Sequence, residues 1–458
     1  MQIFKLAMTG KSVRTGLVLL LSTFVLGGCA TYSSSFRVVE SNLAAGQYDL
    51  ALQGIETQSA SKTEQVLYLL NKGMVLRMKR DFAGSNQALE AAKAEMERLY
   101  AASVSENALS FIVNDATVSY AGDDYEQVLV HLYMALNYLE LGQPDAARVE
   151  ALQVDVKLRE IAEKIPESKF TEDAFSRYLT GMIYEDRGEW SDAMISYRQA
   201  YDAYKNYQRD YALTMPSMLQ YDLLRLAKRQ GLKDEVAKYK KEFGIEQSQI
   251  PANSPGKGEL VFVLNNGWVP IKREKSINSP DPASGTMVRI ALPYYESRTN
   301  NVTAARITVE DKQVSAELME NIDAIAKSSL DARMPAIVAR SVARAVIKAA
   351  ASKSAQKVAH NGNNSNNDAS MVGLIGSLAV QVAAFATERA DTRSWLTLPA
   401  NIHLARLSLP PGSYSVKVEL LGEGDQVVNT REYPGIVINK AHKTFLTQHW
   451  VPLQNYTK

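Results

Sequence analysis

One thiol is available to this chain: Cys29 is the only cysteine among 458 residues. A thiolate is a strong nucleophile that forms thioethers readily. A lone cysteine excludes internal disulfides, zinc knuckles and paired redox thiols. Its surroundings narrow its chemistry further. Lys5, Lys11 and Arg14 precede it with no acidic residue, an apolar run spans Gly16 to Leu26, and Gly27-Gly28 stand directly before it. The apolar run is too short for a comfortable membrane span and has the flanks of a secretory signal. The two glycines let extended backbone enter a narrow protease site. Other chemistry is sparse. The five histidines show no His-Glu-x-x-His or other metal spacing, and neither a Gly-x-Ser-x-Gly elbow nor a Walker loop is present. Ser354-Ala355-Gln356-Lys357 fits a Ser-x-x-Lys pattern, yet the Lys-Thr-Gly partner is missing because Lys443-Thr444 is followed by Phe445. His131 lies on an apolar helix face and reads as a satisfied core histidine. The sequence therefore points to no catalytic residue, no metal and no cofactor.

Leu26-Gly27-Gly28-Cys29 resembles the lipobox of bacterial lipoproteins. That resemblance implies removal of residues 1–28, a diacylglycerol on Cys29, and a short lipidated tether over 29–37. Two or three acyl chains anchor stably, each buried methylene contributing about 0.8 kcal/mol. Ala30 stands where lipoproteins retained at the inner membrane typically carry Asp, which implies sorting to the outer membrane with the body in the periplasm. Cleavage removes three positive charges and no negative ones, taking the formal net charge from +1 to −2. Such a body offers no basic footprint for a nucleic-acid partner.

The elements that follow read as an α+β multidomain chain: a helical solenoid over 38–244, a Pro- and Gly-containing linker over 245–258, then a β-rich region. In the unit from Ala174 to Tyr204, Gly181, Ala193 and Ala200 fall where tetratricopeptide repeats need small residues. Tyr184, Trp190 and Tyr197 fall where they need large ones, and Gly188 sits at the turn. Gly73, Ser85, Ala92 and Phe82 repeat the pattern, Gly46-Gln47-Tyr48 marks a turn one 34-residue period earlier, and Tyr125 to Leu158 forms another unit. With a weaker turn at Gly231, the chain resembles tetratricopeptide-repeat proteins, with about four helical hairpins and a concave groove. The repeat's groove-facing positions carry over to Arg77, Met78, Glu140, Tyr178, Glu185 and Asp186, a surface suited to a peptide or a partner's helix.

Beyond the linker, Leu260 to Leu264 is a continuous apolar run closed by Asn265-Asn266-Gly267, a strand and turn. Residues 287–292, 305–309, 413–420, 436–438 and 443–449 read as further strands. The Pro-Gly-x-Tyr-x-Val-x-Val run at Pro411 resembles Ig-like sandwich modules. The reading is one β domain split into 259–314 and 394–458 by a helical insertion over 315–393, with two separate β units as the alternative. Within the insertion, Arg340, Arg344 and Lys348 recur at i, i+4 and i+8 as a basic stripe suited to anionic lipid, lipopolysaccharide or glycan. Asn361 to Asp368 reads as a loop, and uncharged Met371 to Thr387 as a buried helix and the first contact for any homo-oligomer.

Lipobox, repeat region, Gly258-Glu259-Leu260-Val261 and the Arg393-Ser394-Trp395 to Pro399 segment together resemble a little-characterised family of proteobacterial outer-membrane lipoproteins. Members often accompany small lipoproteins similar to LpoB, an activator of peptidoglycan synthases. The expected function is a non-enzymatic scaffold that binds envelope proteins of a peptidoglycan-synthesis, secretion or assembly complex. A lipid- or lipopolysaccharide-binding protein and a cell-wall enzyme are the alternatives.

Overall fold

The computed structural model describes residues 32–57, 61–105, 118–164, 166, 168, 170–249, 256–280, 287–361 and 388–454. Cys29 and its signal lie outside them. Helices α1 (Tyr32–Ser35), α2 (Arg37–Ala44), α3 (Tyr48–Glu56), α4 (Gln65–Met78), α5 (Phe82–Ser105), α6 (Asp124–Glu140), α7 (Pro144–Lys164), α8 (Ala174–Asp186), α9 (Trp190–Tyr211), α10 (Ser217–Arg229) and α11 (Lys233–Phe243) make up the first half. From α2 onward they pack as consecutive pairs, so the described residues hold five hairpins and not about four. The turns at Gly46, Gly142, Gly188 and Gly231 all adopt positive φ, between +67° and +76°, where a side chain is strained. The α4–α5 turn puts Arg80 there instead, at φ +68°.

The helical region starts earlier than expected. Tyr32, Ser33 and Phe36 are buried and packed into the body, so residues 32–37 are no free tether.

The β region comprises β1 (Gly258–Asn266), β2 (Ile271–Pro280), β3 (Met287–Glu296), β4 (Ala304–Val309), β5 (Lys312–Ser315), β6 (Glu317–Asn321), β7 (Asn401–Leu409), β8 (Gly412–Leu421), β9 (Val427–Ile438) and β10 (Lys443–Trp450). One sheet has the order β10-β1-β7-β6, a second β5-β4-β8-β9, and β2–β3 is a separate hairpin. β1 pairs parallel with β10 and antiparallel with β7, and β4 pairs with β8. Strands from both halves of the sequence thus share each four-stranded sheet, which makes one discontinuous unit. The insertion begins later than expected, because Glu317–Asn321 is a strand paired with β7. Helix α12 (Ile322–Asn361) then runs for 40 residues and packs on β3. Residues 362–387, including Met371 to Thr387, lie outside the described set. Among the described residues no helix is long and apolar enough to cross a membrane.

The first sheet is a middle layer, and the period-2 geometry of strands explains how. Leu260, Phe262 and Leu264 of β1 join Ala405, Leu409 and Leu446 in a core shared with Ile307, Val416, Val418 and Leu420 of the second sheet. The alternate residues Val261 and Val263 join Ile402, Leu404 and Phe445 in a core continuous with the helices. This double burial is why Leu260 to Leu264 is apolar without alternation.

Close helix approach fixes the best-formed repeat. A Cβ on Gly181 would land inside the contact radius of the Tyr197 ring, and Tyr197 is fully buried with its hydroxyl donating to Glu185 at 2.7 Å. Helix propensity alone favours Gly181→Ala by about 1 kcal/mol; the steric conflict opposes it, with overpacking costing about 1–3 kcal/mol. We expect thermal denaturation of the full chain to show a net loss. A gain in melting temperature would mean that these helices are not in close contact at Gly181.

Candidate functional site

The concave face of the helical array is occupied by the chain's own first sheet, and the six groove residues describe how. Tyr178, fully buried, donates its hydroxyl to Asp222 at 2.8 Å and accepts from the Arg406 guanidinium of β7 at 2.7 Å. Arg406 also bonds Asp222, and makes a two-armed contact with Glu259 of β1, both arms at 2.8 Å. Glu185 meets Arg225 at 2.5 Å and Lys443 of β10 at 3.6 Å. Its neighbour Asp186 accepts from the Lys443 backbone N–H at 2.5 Å. One repeat earlier, Glu140 accepts from the Thr447 N–H at 2.5 Å and the Thr447 hydroxyl at 2.6 Å. Arg77 is buried between the Phe82 and Tyr133 rings, each 5.6 Å away, and bonds Asn137. Met78 is buried core.

These contacts correct the expectation of an open partner groove. Tyr178, Glu140, Glu185 and Asp186 do face the groove, but its occupant is β1, β7 and β10 of the same chain, and Arg77 and Met78 are enclosed. Around the Arg406 network a cleft of about 500 Å³ remains at the open end, lined by Trp190, Tyr221 and Arg229 among others.

Charge balance holds the network ionised. Burial alone would raise Glu185, yet Lys443, Arg225 and Arg406 hold it far below the usual carboxylate range. Burial likewise opposes ionisation of Glu259, which Arg406 and Lys443 hold at about 2. Burial acts to strip the Arg406 proton, and Asp222 and Glu259 hold it on more firmly than in water.

A second buried cluster ties the start of α6 to the β2–β3 hairpin and α12. Asp123 meets Lys272 at 2.7 Å, Arg333 at 2.8 Å and the Tyr295 hydroxyl at 3.0 Å. Glu126 accepts from the Tyr120 hydroxyl at 2.6 Å and the Trp395 N–H at 2.7 Å. Burial, reinforced by the Asp123 charge, pushes Glu126 up to about 7. Elsewhere burial pushes Asp173 up to about 6 and Glu320 well above the ordinary range, with Asp173 adding to it.

The basic stripe does not survive as one surface. Arg344 is buried against Glu388 at 3.3 Å and Ser341 at 3.2 Å, because α12 turns this side toward its own chain. Arg340 is half-buried, and the side chains of Lys348, Ser354 and Lys357 lie outside the described set. His131 is a buried histidine partnered by Glu150 at 2.7 Å. Among the described residues no group of side chains could hold a metal ion.

Sequence reasoning missed Arg406, Lys443, Glu259 and Asp222. The available signal was Arg406 on the same strand face as Ile402 and Leu404, a charge where the alternation calls for a buried apolar residue.

No family model matches the chain, and no curated protein does. Among solved structures, the crystal structure of MamA is 14% identical and covers 45% of this chain and 91% of its own, with a TM-score of 0.28. MamA MSR-1 is 17% identical over 45% of this chain and 90% of its own, with a TM-score of 0.26. Likeness at this level leaves function to the geometry of the chain itself.

Two outcomes follow. Arg406→Leu removes the cation shared by buried Asp222 and Glu259, leaving Arg225 at 2.8 Å from the first and Lys443 at 3.0 Å from the second, a loss of up to about 3–5 kcal/mol. Adding Asp222→Asn and Glu259→Gln restores most of it in denaturant titrations. Failure of the triple variant to recover would remove the electrostatic account.

The second outcome is a stability profile with opposite slopes. Glu126 and Asp173 bind protons more tightly folded than unfolded, so their contribution is complete below about pH 4 and lost as pH rises through about 7. Glu259 contributes above about pH 4, and its share is lost as pH falls toward 2. Melting temperature should peak in mild acid and decline toward neutrality, and Glu126→Gln should flatten the decline. A steady rise from acid to neutral pH contradicts this.

Proposed function

We propose that the protein is a non-enzymatic scaffold of the bacterial envelope, anchored in the outer membrane by lipid on Cys29, with its body in the periplasm. It holds components of an envelope machine, a peptidoglycan-synthesis, secretion or assembly complex, on its outer surfaces. The observation that carries this reading is the filled groove. Helices and sheet share one apolar core running from Tyr32 to Phe445, so opening the groove for a guest would expose Val261, Val263, Ile402 and Leu404. A body of this kind presents fixed outer faces and does not clasp. The outer face of α7 supports the reading, since Val149, Leu152 and Val156 recur at i, i+3 and i+7 and are exposed.

The test uses the full lipoprotein in intact cells. Cys29→Ser should abolish palmitate labelling and membrane fractionation; a variant that still labels and fractionates with membranes removes the anchor. A photo-crosslinking residue at Leu152 or Val156 should give a discrete adduct, and one at His442, exposed at the groove mouth, should not. Adducts confined to His442 would restore the groove as the binding surface. Loss of the cellular phenotype in a folded Ser354→Ala variant would replace the scaffold with an enzyme.

A further inference from the structure

The anchor proposed above leaves little slack. Tyr32 is the third residue after Cys29, and three residues span at most about 11 Å. Tyr32 is already fixed: its ring lies 6.2 Å from that of Phe36, and its hydroxyl accepts from Asn71 at 2.8 Å. A lipid on Cys29 therefore holds the surface around Tyr32 directly against the bilayer.

The structure shows what lies near that surface. Asn71 also accepts from the Thr397 N–H at 3.2 Å. From Thr397 the chain leads back, within ten residues, to the base of the arm formed by α12 and the β2–β3 hairpin. There the Ala390 N–H donates to Glu274 at 2.8 Å, and Glu388 pairs with Arg344 at 3.3 Å. Along this path Arg393 donates to the Thr63 carbonyl at 3.2 Å, and Thr63 in turn accepts from the Tyr120 N–H at 2.9 Å.

Among the described residues, the arm carries an exposed apolar face. Val342, Val346 and Ile347 recur at i, i+4 and i+5 on one side of α12 and are 41%, 63% and 43% exposed. Arg344 lies roughly 200° round the helix from Val346 and is buried. The expected polarity of this helix is thus inverted, with its cation turned inward and its branched apolar side chains turned out. Half-buried Arg340 sits at the edge of the apolar face, where a long side chain reaches headgroups while its stem stays on hydrocarbon. On the hairpin that packs against α12, Ile277 is exposed as well.

We infer that this face of α12 is a membrane-contact surface, which rests on the bilayer that holds the Cys29 lipid and so gives the scaffold a second point of attachment. The occupant is a lipid surface because the proposed anchor holds Tyr32 at a bilayer, and Tyr32 is joined through Asn71 to Thr397, the end of the 388–397 segment that pairs with α12 at Arg344. The acyl chains on Cys29 hold the protein at the bilayer without fixing its orientation, and an apolar face beside a cation, lying in the interface, adds a contact that does.

The experiment uses the full lipidated protein in vesicles of phosphatidylethanolamine and phosphatidylglycerol carrying a nitroxide-labelled lipid. Lipid occupies Cys29, so Val346→Cys and Val342→Cys each supply one free thiol for an environment-sensitive fluorophore, and Ile195→Cys on α9 is the control. Several-fold quenching at 342 and 346, with none at 195, is the expected result. Ile347→Asp should reduce the quenching at 346 while leaving the melting curve unchanged. Absence of quenching at 342 and 346 in protein whose mass confirms the lipid overturns the proposal. So does a disulfide between two copies at position 346 without quenching, which would give the face to a second copy. If the mass shows no lipid on Cys29, the anchor reading falls by itself. A histidine tag placed before Tyr32 on nickel-lipid vesicles then tests the arm alone, with quenching at 346 again required.

Discussion

The first sheet has no face left for water, and the rest of the molecule follows from that constraint. Val261 and Val263 point into the helices while Leu260, Phe262 and Leu264 point into the second sheet. Removing either neighbour would expose one apolar face at about 25 cal/mol per Å². Two cores that meet across a single layer make helices and strands one cooperative body. The repeat turns, the buried hydroxyls and the strand order all serve that contact. Tyr133 donates to Asn265 of β1 at 3.1 Å, Tyr204 to the Met319 carbonyl at 3.0 Å, and Ser217 meets Glu317 through backbone and hydroxyl, each at 2.6 Å.

Apolar packing alone would fix neither the register of the sheet nor its sliding within the groove. The ionic residues do. Glu259, Arg406 and Lys443 come from three adjacent strands, and a one-residue slip in any of them would turn its charge into the apolar core on the other side. A buried ion network is weak evidence of net stabilisation, since desolvation offsets much of the attraction. Its effect here is specificity of docking. The edge of β10 is managed in the same way. Glu140 and Asp186, each two residues before a turn glycine, accept the outward Thr447 and Lys443 N–H groups, and Arg80 donates to the Thr447 carbonyl at 3.2 Å. Unpaired strand edges invite association with other chains, and this one is closed by successive repeats. Arg80 holds a left-handed conformation that its counterparts give to glycine; its contact with β10 accounts for a side chain at that position.

Much of this was legible from residue patterns, and the omissions have physical causes. The helical hairpins are visible because small and large residues recur at fixed offsets, and close approach at Gly181 permits few substitutes. β1, β8 and β10 are visible through β-branched and apolar runs. β7 was missed because His403 and Arg406 interrupt its apolar pattern, although it is the strand between β1 and β6. Of the six groove residues, Glu140, Tyr178, Glu185 and Asp186 meet the sheet while Arg77 and Met78 are enclosed, and the occupant of the groove was not foreseen. Nothing local in Tyr178 or Glu185 says whether a buried aromatic and carboxylate meet a partner or residue 406 of the same chain. The polarity of α12 was misread for a similar reason. Arg340, Arg344 and Lys348 share a helical stripe, but which stripe faces solvent is set by Glu388, beyond an intervening stretch of sequence.

A filled groove and a packed N-terminus would change what a scaffold of the proposed kind can do. A long flexible tether lets a binding module sample many orientations and sets an effective concentration through its length. Here Tyr32 is already buried in the body, so lipid on Cys29 would leave almost no linker over which to average. So anchored, such a body would gain little reach but would fix direction: each outer face would stand at a set height and angle to the bilayer. Partners on α7 would meet one another in a geometry dictated by the core, and the rigidity that denies the groove to a guest is what makes that geometry transmissible. Rigid presentation also lowers the entropy lost on association, because few rotational states remain to be given up. The interaction of sheet with solenoid is therefore the element through which membrane attachment and partner geometry would be coupled.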